Sequence, residues 1–313
     1  MKIAIIGPGI MSIPPTSWGA VEILIWDYYQ NLIDLGHEVK IFNTRDLQSV
    51  KDEIEKSNFD FVHLHYDDYL SFFENIKHNN FAVTSHYGYI TREEKYESYY
   101  WKIFEAFLNT KHKIIALSDN IKQQYLKYNK NLNISVQRNG VSIKDFAFNH
   151  ECLKKDRTLY LGKIEKRKLQ HFYAPVDDLN IDFVGNDGTL SNISKDNKFL
   201  GAWKKNEVYK NMTNYANLML ISEGEAHALV CVEALASGLG VVVNEEAAAN
   251  LDVKKDFITI IPNNKIQNIE YIREKLIDNR NISINKRIEI KKYAEQNFDW
   301  RVIVNEYCKT IGV

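Results

Sequence analysis

Short apolar runs alternate with longer amphipathic stretches along the whole chain, a pattern that predicts strands interleaved with helices. In the first half the runs are Ile3–Ile6, Val39–Phe42, Asp60–Leu64, Ala82–Thr84, Ile114–Leu117 and Ser135–Gln137, rich in β-branched residues and bounded by turn formers. Between the first two, Val21, Leu24, Ile25, Tyr28, Leu32 and Leu35 recur at intervals of three and four, and Gly36 follows as a stop, so Val21–Leu35 reads as a helix. Strand, helix and strand in that order imply a parallel sheet covered by helices on both faces. The pattern restarts after residue 150, with strands expected at Thr158–Leu161, Ile181–Val184, Leu218–Ile221, Gly240–Val243 and Phe257–Ile261. Helices are expected at Asn206–Thr213, Leu229–Ser237, Gln267–Asp278 and Asn285–Gln296, and the chain turns polar near Asp145–Asp156. The expected fold is α/β, with two Rossmann-like doubly wound halves alike in arrangement and not in sequence. Another helical stretch, Glu93–Leu108, carries Tyr96, Tyr99, Tyr100 and Trp101, which cannot all face one way.

Composition narrows the function classes. At roughly 100–200 residues per domain, 313 residues suggest two domains. Forty basic against 41 acidic residues leave a net charge of −1, which gives no general pull toward nucleic acid or anionic lipid. The 45% hydrophobic and 26% charged content excludes disorder, collagen and coiled coil as the main state. Cys152, Cys231 and Cys308 lie far apart and form no CxxC pair, which excludes zinc ribbons and disulfide scaffolds and fits a reducing, cytoplasmic setting. No apolar run approaches the ~18 residues of a membrane span. The opening apolar stretch is broken by Gly7-Pro8-Gly9 and reads as a first strand, not a signal peptide.

Open α/β sheets bind ligands beyond the carboxyl ends of their strands, and two such sheets facing each other would form one deep cleft. The strand-to-helix turns are therefore where chemistry is expected. The densest of them is Ser222-Glu-Gly-Glu-Ala-His-Ala-Leu-Val-Cys-Val-Glu-Ala-Leu-Ala-Ser-Gly238, in which seven residues separate Glu225 from Glu233. On one helix the two would stand ~80° apart and ~12 Å along the axis, too far to share one reacting atom. The better reading puts Glu225 in the turn after strand Leu218–Ile221 and Glu233 within the helix beyond. Backbone N–H groups near Ala226, His227, Ala228 and Leu229 would then point at an anion, helped by the helix dipole. Two isolated glutamates would read as a helix-terminal charge and a solvated surface residue; the apolar neighbours Val230, Val232, Ala234, Leu235 and Ala236 argue against that for Glu233. Lys163 and Lys168 follow strand Thr158–Leu161, where a diphosphate would sit, or form a surface pair. Lys166 and Arg167 between them read as solvated charge. His86 follows a strand, with Tyr87 and Gly88 next, as a ligand-facing or a satisfied strand-end histidine would. His63 and His65 share one face of their strand, but no third metal ligand is evident, and no metal is expected. His65, nearer the strand end, reads as lining the acceptor side. Gly19 would let backbone approach a phosphate or sugar closely, or serves simply as a loop glycine.

The two-glutamate motif, Ser-x-x-Glu-x7-Glu-Ala-Leu-Ala-x-Gly, resembles the donor-site signature of retaining glycosyltransferases of family 4, which have the GT-B fold. Further stretches resemble the family in order along nearly the whole chain. They are Pro14-Pro15-Thr-Ser-Trp-Gly19-Ala-Val-Glu22, Leu35-Gly-His-Glu-Val39, Phe61-Val-His-Leu-His65 and Thr84-Ser-His86-Tyr-Gly88, then Arg138-Asn-Gly-Val141 with Phe146, Tyr160-Leu-Gly162-Lys163 with Lys168, and Phe298-Asp-Trp300. Departures are Ala226-His227-Ala228 for the usual Gly-Phe-Gly, Gly238-Leu-Gly240 for Gly-x-Pro, Lys163 for Arg and Leu169 for Gly, with a compressed stretch between Lys168 and Asn206. The resemblance implies an acceptor-side domain over 1–148, a nucleotide-sugar-binding domain over 149–298 and a final helix, 299–313, packing back on the first domain. It implies a donor site of Gly19, Lys163, Lys168, Glu225, Ala226, His227, Ala228, Leu229 and Glu233. His86, Glu225, Lys163 and Lys168 would act on the reaction, with His65 and Tyr87 on the acceptor side. His227, in place of a family Phe, would stack on or bond the donor.

The expected activity is metal-independent, retaining transfer of a hexosyl or pentosyl group from a UDP- or GDP-sugar to a hydroxyl acceptor. That acceptor would be a glycan, a lipid-linked sugar or a metabolite. The alternatives are transfer to a modified DNA base, which the charge of −1 disfavours, and nucleotide-sugar binding without turnover. A nicotinamide dehydrogenase fits poorly: Gly7-Pro-Gly9 is followed by Ser12 where a third glycine belongs, and the second strand ends Ile41-Phe42-Asn43-Thr44 with no acid for a ribose. The sequence names neither the donor, the acceptor nor the oligomeric state.

Overall fold

Runs of mostly apolar, β-branched residues become strands buried on both faces, as in β1 (Lys2–Ile6), β3 (Phe61–Leu64) and β4 (Phe81–Thr84) of the computed structural model, which describes residues 1–16, 19–186 and 188–312. Along the chain α1 (Ala20–Asp34) leads to β2 (Glu38–Phe42), α2 (Leu47–Lys56) to β3, α3 (Leu70–Phe73) to β4, and α4 (Ser98–Asn109) to β5 (Lys113–Ala116). Next come α5 (Asp119–Tyr128) and β6 (Ile134–Val136), and the sheet order is β2-β1-β3-β4-β5-β6. A second sheet follows with β7 (Lys154–Leu161), α6 (Gln170–Tyr173), β8 (Ile181–Val184), β9 (Lys198–Phe199), α7 (Lys205–Asn211), β10 (Tyr215–Leu220), α8 (Leu229–Ala236), β11 (Gly240–Asn244) and β12 (Ile258–Ile261). Its order is β12-β11-β10-β7-β8-β9, and every described strand pairing in both sheets is parallel. The chain closes with α9 (Ile269–Phe298) and α10 (Trp300–Ile311).

The chain divides into two compact units, Met1–Gly140 with the segment from Trp300 onward, and Val141–Asp299. Aromatic packing explains why α10 belongs to the first unit: Trp300 and Tyr307 each lie 4.8 Å, centroid to centroid, from Tyr28 of α1. Trp300 Nε1 donates to Asp27 (3.1 Å), and Tyr307 Oη lies 2.9 Å from His63 Nδ1. Helix starts carry local caps: Asp46 accepts from Ser49 N–H, Ser118 from Ile121 N–H and Asn268 from Tyr271 N–H.

The two helices expected at Gln267–Asp278 and Asn285–Gln296 are both present within α9, joined across a kink at Lys286 (φ −118°, ψ 17°), and the first runs on past Asp278. The polar residues between them look like a loop in sequence, yet Asn279, Arg280 and Ser283 are buried. Asn279 donates to the Phe257 carbonyl, Arg280 to Thr158 Oγ1 and Ser283 to the Ala216 carbonyl, so this face of α9 satisfies backbone and side-chain groups of the sheet. Of the aromatic quartet in the α4 region, Tyr96 and Tyr100 are buried, whereas Tyr99 and Trp101 are exposed.

Candidate functional site

In the second unit β7 and β10 are neighbours, and the turns leaving their carboxyl ends are laced together. Glu223 N–H donates to the Arg167 carbonyl (2.9 Å), and the Tyr160 hydroxyl, which accepts from Ile221 N–H, lies within hydrogen-bond reach of the Lys168 and Ile221 carbonyls. Asn244 at the end of β11 secures Ser222 from the other side, accepting from its N–H (3.1 Å) and donating to its carbonyl (2.8 Å). Gly185, at the end of β8, sits against the same turn. A Cβ there would stand 2.0 Å from the Gly162 carbonyl oxygen, so only glycine allows the two strand ends to approach.

On this scaffold sits a cluster of four charges. Arg167 Nη1 donates to Glu225 Oε1 (2.9 Å) and Ser222 Oγ (3.1 Å), and also to the Gly224 carbonyl; Nη2 reaches Glu165 Oε1 at 2.8 Å. Lys168 Nζ stands farther from both acids, 3.8 Å from Glu225 and 4.0 Å from Glu165. Arg167 is therefore largely covered and paired, and its reading as solvated charge is corrected: the Lys166-Arg-Lys168 run looks like surface, but a 3-10 turn aims only Lys166 outward. The turn ends at Leu169 in the left-handed region (φ 53°), a conformation that costs a non-glycine residue roughly 1–2 kcal/mol.

The other expected donor residues are distributed as follows. Glu225 lies in the turn after β10, and Glu233 lies within α8, half-buried. Ala226, His227 and Ala228 are buried, Leu229 opens α8, and no side chain caps that helix among the described residues. Lys163 is exposed, while its carbonyl accepts from Gln170 (2.8 Å). Glu165 and Arg167 are the members that sequence reasoning missed; the acid embedded in the basic run was the available signal.

The first unit carries a second cluster, at the carboxyl ends of β3 and β4. His65 is buried, and its Nδ1 lies 3.2 Å from Nε2 of His86. Burial pushes the His86 imidazole down to about 4 and holds His65 well below its ordinary value, so both are neutral near pH 7. Asp67, also missed, organises the segment: its carboxylate accepts from the His86 N–H (3.1 Å), the Tyr100 hydroxyl (3.1 Å) and Ser85 Oγ. Burial raises the Asp67 carboxyl to about 6, and those hydrogen bonds pull the other way. Tyr87 stacks on Tyr100 with centroids 3.4 Å apart. Gly19 precedes α1, and a Cβ there would stand 2.5 Å from Glu22 Oε2, the movable end of a side chain in the first turn of that helix. Ser17 and Trp18 of the proline-rich stretch lie outside the described residues. Among the described residues no three His, Cys, Asp or Glu side chains are placed to hold a metal ion, and no helix is long and apolar enough to cross a membrane.

No protein-family model matches the chain, and no curated protein does. Solved structures match it in fold. HepE from Anabaena, in complex with UDP and glucose, has a TM-score of 0.74 at 15% identity, over 99% of this chain and 99% of that one. Sucrose-phosphate synthase from Thermosynechococcus elongatus gives 0.73 at 15% identity, over 99% and 98%. WaaG, a glycosyltransferase involved in lipopolysaccharide biosynthesis, gives 0.70 at 13% identity, over 99% and 99%. At such identities the likeness establishes the fold, which is GT-B: two Rossmann-like, doubly wound units.

Proposed function

We propose that this chain is a retaining glycosyltransferase of the family 4 type, moving a sugar from a nucleoside diphosphate sugar to a hydroxyl acceptor. The observation that carries the proposal is the laced pair of turns beyond β7 and β10, where Glu225 is held beside Arg167 and Lys168 at the sheet edge where open α/β folds bind ligands. The binding of UDP and glucose by HepE, which shares the fold, supports the same reading.

The roles follow from charge. Breaking a sugar–phosphate bond builds negative charge on the departing diphosphate, and Lys168 with Lys163 stabilises it from fixed positions. Glu225 holds hydroxyls of the transferred sugar, and Glu233 accepts hydrogen bonds from the ribose. The start of α8 adds its positive dipole end toward the phosphates, although the Leu229 N–H itself is donated to the His227 carbonyl (2.9 Å). His86, with Tyr87 and His65 for the acceptor side, rests on the family resemblance and on its place at the end of β4. With no protein nucleophile assigned, the leaving phosphate oxygen takes the acceptor's proton on the same face of the sugar, so configuration is retained. No step is assigned to a metal.

A donor screen tests this: incubation with UDP-, GDP- and ADP-sugars, with and without chelator, and measurement of nucleoside diphosphate release. Release from one nucleotide class that survives chelation is expected. Binding without release over long incubation with candidate acceptors would favour a nucleotide-sugar-binding protein instead.

A further inference from the structure

Four ionisable side chains crowd the proposed phosphate site, and they do not share charge equally. Glu165 and Glu225 carry two negative charges, and Arg167 and Lys168 two positive ones, so the cluster is formally neutral before exposed Lys163 is added. A diphosphate entering beside two uncompensated carboxylates would be repelled. The distances show which cation answers them. Arg167 pairs with both acids, with Glu165 at 2.8 Å and, through a hydrogen bond, with Glu225 at 2.9 Å, while Lys168 stands 3.8 and 4.0 Å away, at the outer edge of ion-pair range. A guanidinium suits this task, since its fork spans two carboxylates at once and stays charged at any relevant pH. Its further bonds to Ser222 Oγ and the Gly224 carbonyl fix it to the turn that carries Glu225.

We propose that Arg167 is a positioning residue that neutralises Glu165 and Glu225 and thereby leaves the Lys168 charge for the diphosphate of the donor. The proposal rests on the donor-site reading above. Arg167 does not touch the diphosphate; it decides how much of Lys168 the diphosphate meets. Without Arg167, Lys168 collapses onto the two carboxylates and the site turns electronegative.

The test is calorimetric titration of UDP, GDP and ADP in turn into the wild-type chain and three variants, with melting temperatures recorded for each. Wild type binds at least one of the three. Arg167→Met weakens that binding by about tenfold or more, the loss shrinking at high salt. Glu165→Gln alone tightens it a few-fold. Adding Glu165→Gln to Arg167→Met removes the excess negative charge and restores affinity to within about threefold of wild type. A double variant as weak as Arg167→Met, whatever its melting temperature, overturns the proposal, because Arg167 would then grip phosphate directly or merely hold the turns together. Wild-type binding unchanged by Arg167→Met overturns it as well. Binding of none of the three nucleotides by wild type overturns the donor-site reading, and this inference with it.

Discussion

Glu225 shows how environment assigns a role to a residue type. Its oxygen Oε1 is tied to Arg167 at 2.9 Å, an arrangement suited to holding hydroxyls and poorly suited to attacking carbon. Glu225→Gln should therefore lower kcat at least tenfold while nucleotide affinity holds or rises a few-fold, because a contact that strengthens toward the transition state is lost. A covalent glycosyl adduct on Glu225, found by mass spectrometry, would contradict that role. In the first unit, pH separates two opposed contributions. Asp67, with its carboxyl raised to about 6 in the fold against ~4 when unfolded, holds a proton between those values that the unfolded chain has released. Its contribution to stability therefore falls as pH rises from 4 to 6. His86, lowered to about 4, and His63, lowered to about 3, are neutral in the fold and charged when unfolded, so their contribution falls as pH drops below ~6.5. Asp67→Asn removes only the first effect. On acidification from pH 6 to 4 the variant should lose stability more steeply than wild type, by up to about 1.4 kcal/mol per pH unit. Parallel stability–pH curves would contradict the raised carboxyl.

At the scale of elements, legibility followed burial. Most strands of both sheets could be read from their apolar runs because parallel strands covered on both faces leave little room for polar residues. The two-residue β9 is too short to leave a pattern, and the first half of α9 runs past its expected end because Asn279, Arg280 and Ser283 place polar atoms on a buried face. Such positions break the 3.6-residue rhythm while strengthening the fold, and nothing local in sequence announces their partners. The helix α10 depends on Trp300, which is buried against Tyr28 and bonded to Asp27. Trp300→Ala should destabilise the first unit by about 3–5 kcal/mol, visible as a lower denaturation midpoint. An unchanged midpoint would mean that α10 adds little to that unit.

For the molecule as a whole, the doubly wound α/β architecture could be read from strand–helix alternation, and the placement of Glu225 before α8 and Glu233 within it from the spacing of the motif. The charge network could not. Arg167 sits in a basic run indistinguishable from solvated surface, and Asp67 is one of two adjacent aspartates beyond β3; the partners of both, Glu225 and His86, lie far along the chain. Only folding brings such pairs together, and beyond Glu165 within the basic run a single sequence carries no local trace of them. The proposed function stands or falls with the turns beyond β7 and β10 forming a nucleoside diphosphate site centred on Lys168. Titration calorimetry with UDP, GDP and ADP on wild type and on Lys168→Ala tests it most directly. Wild type should bind one of the three, and Lys168→Ala, still folded by circular dichroism, should bind it at least tenfold more weakly. Equal affinity in the two proteins, or no binding of any of the three by wild type, would contradict it.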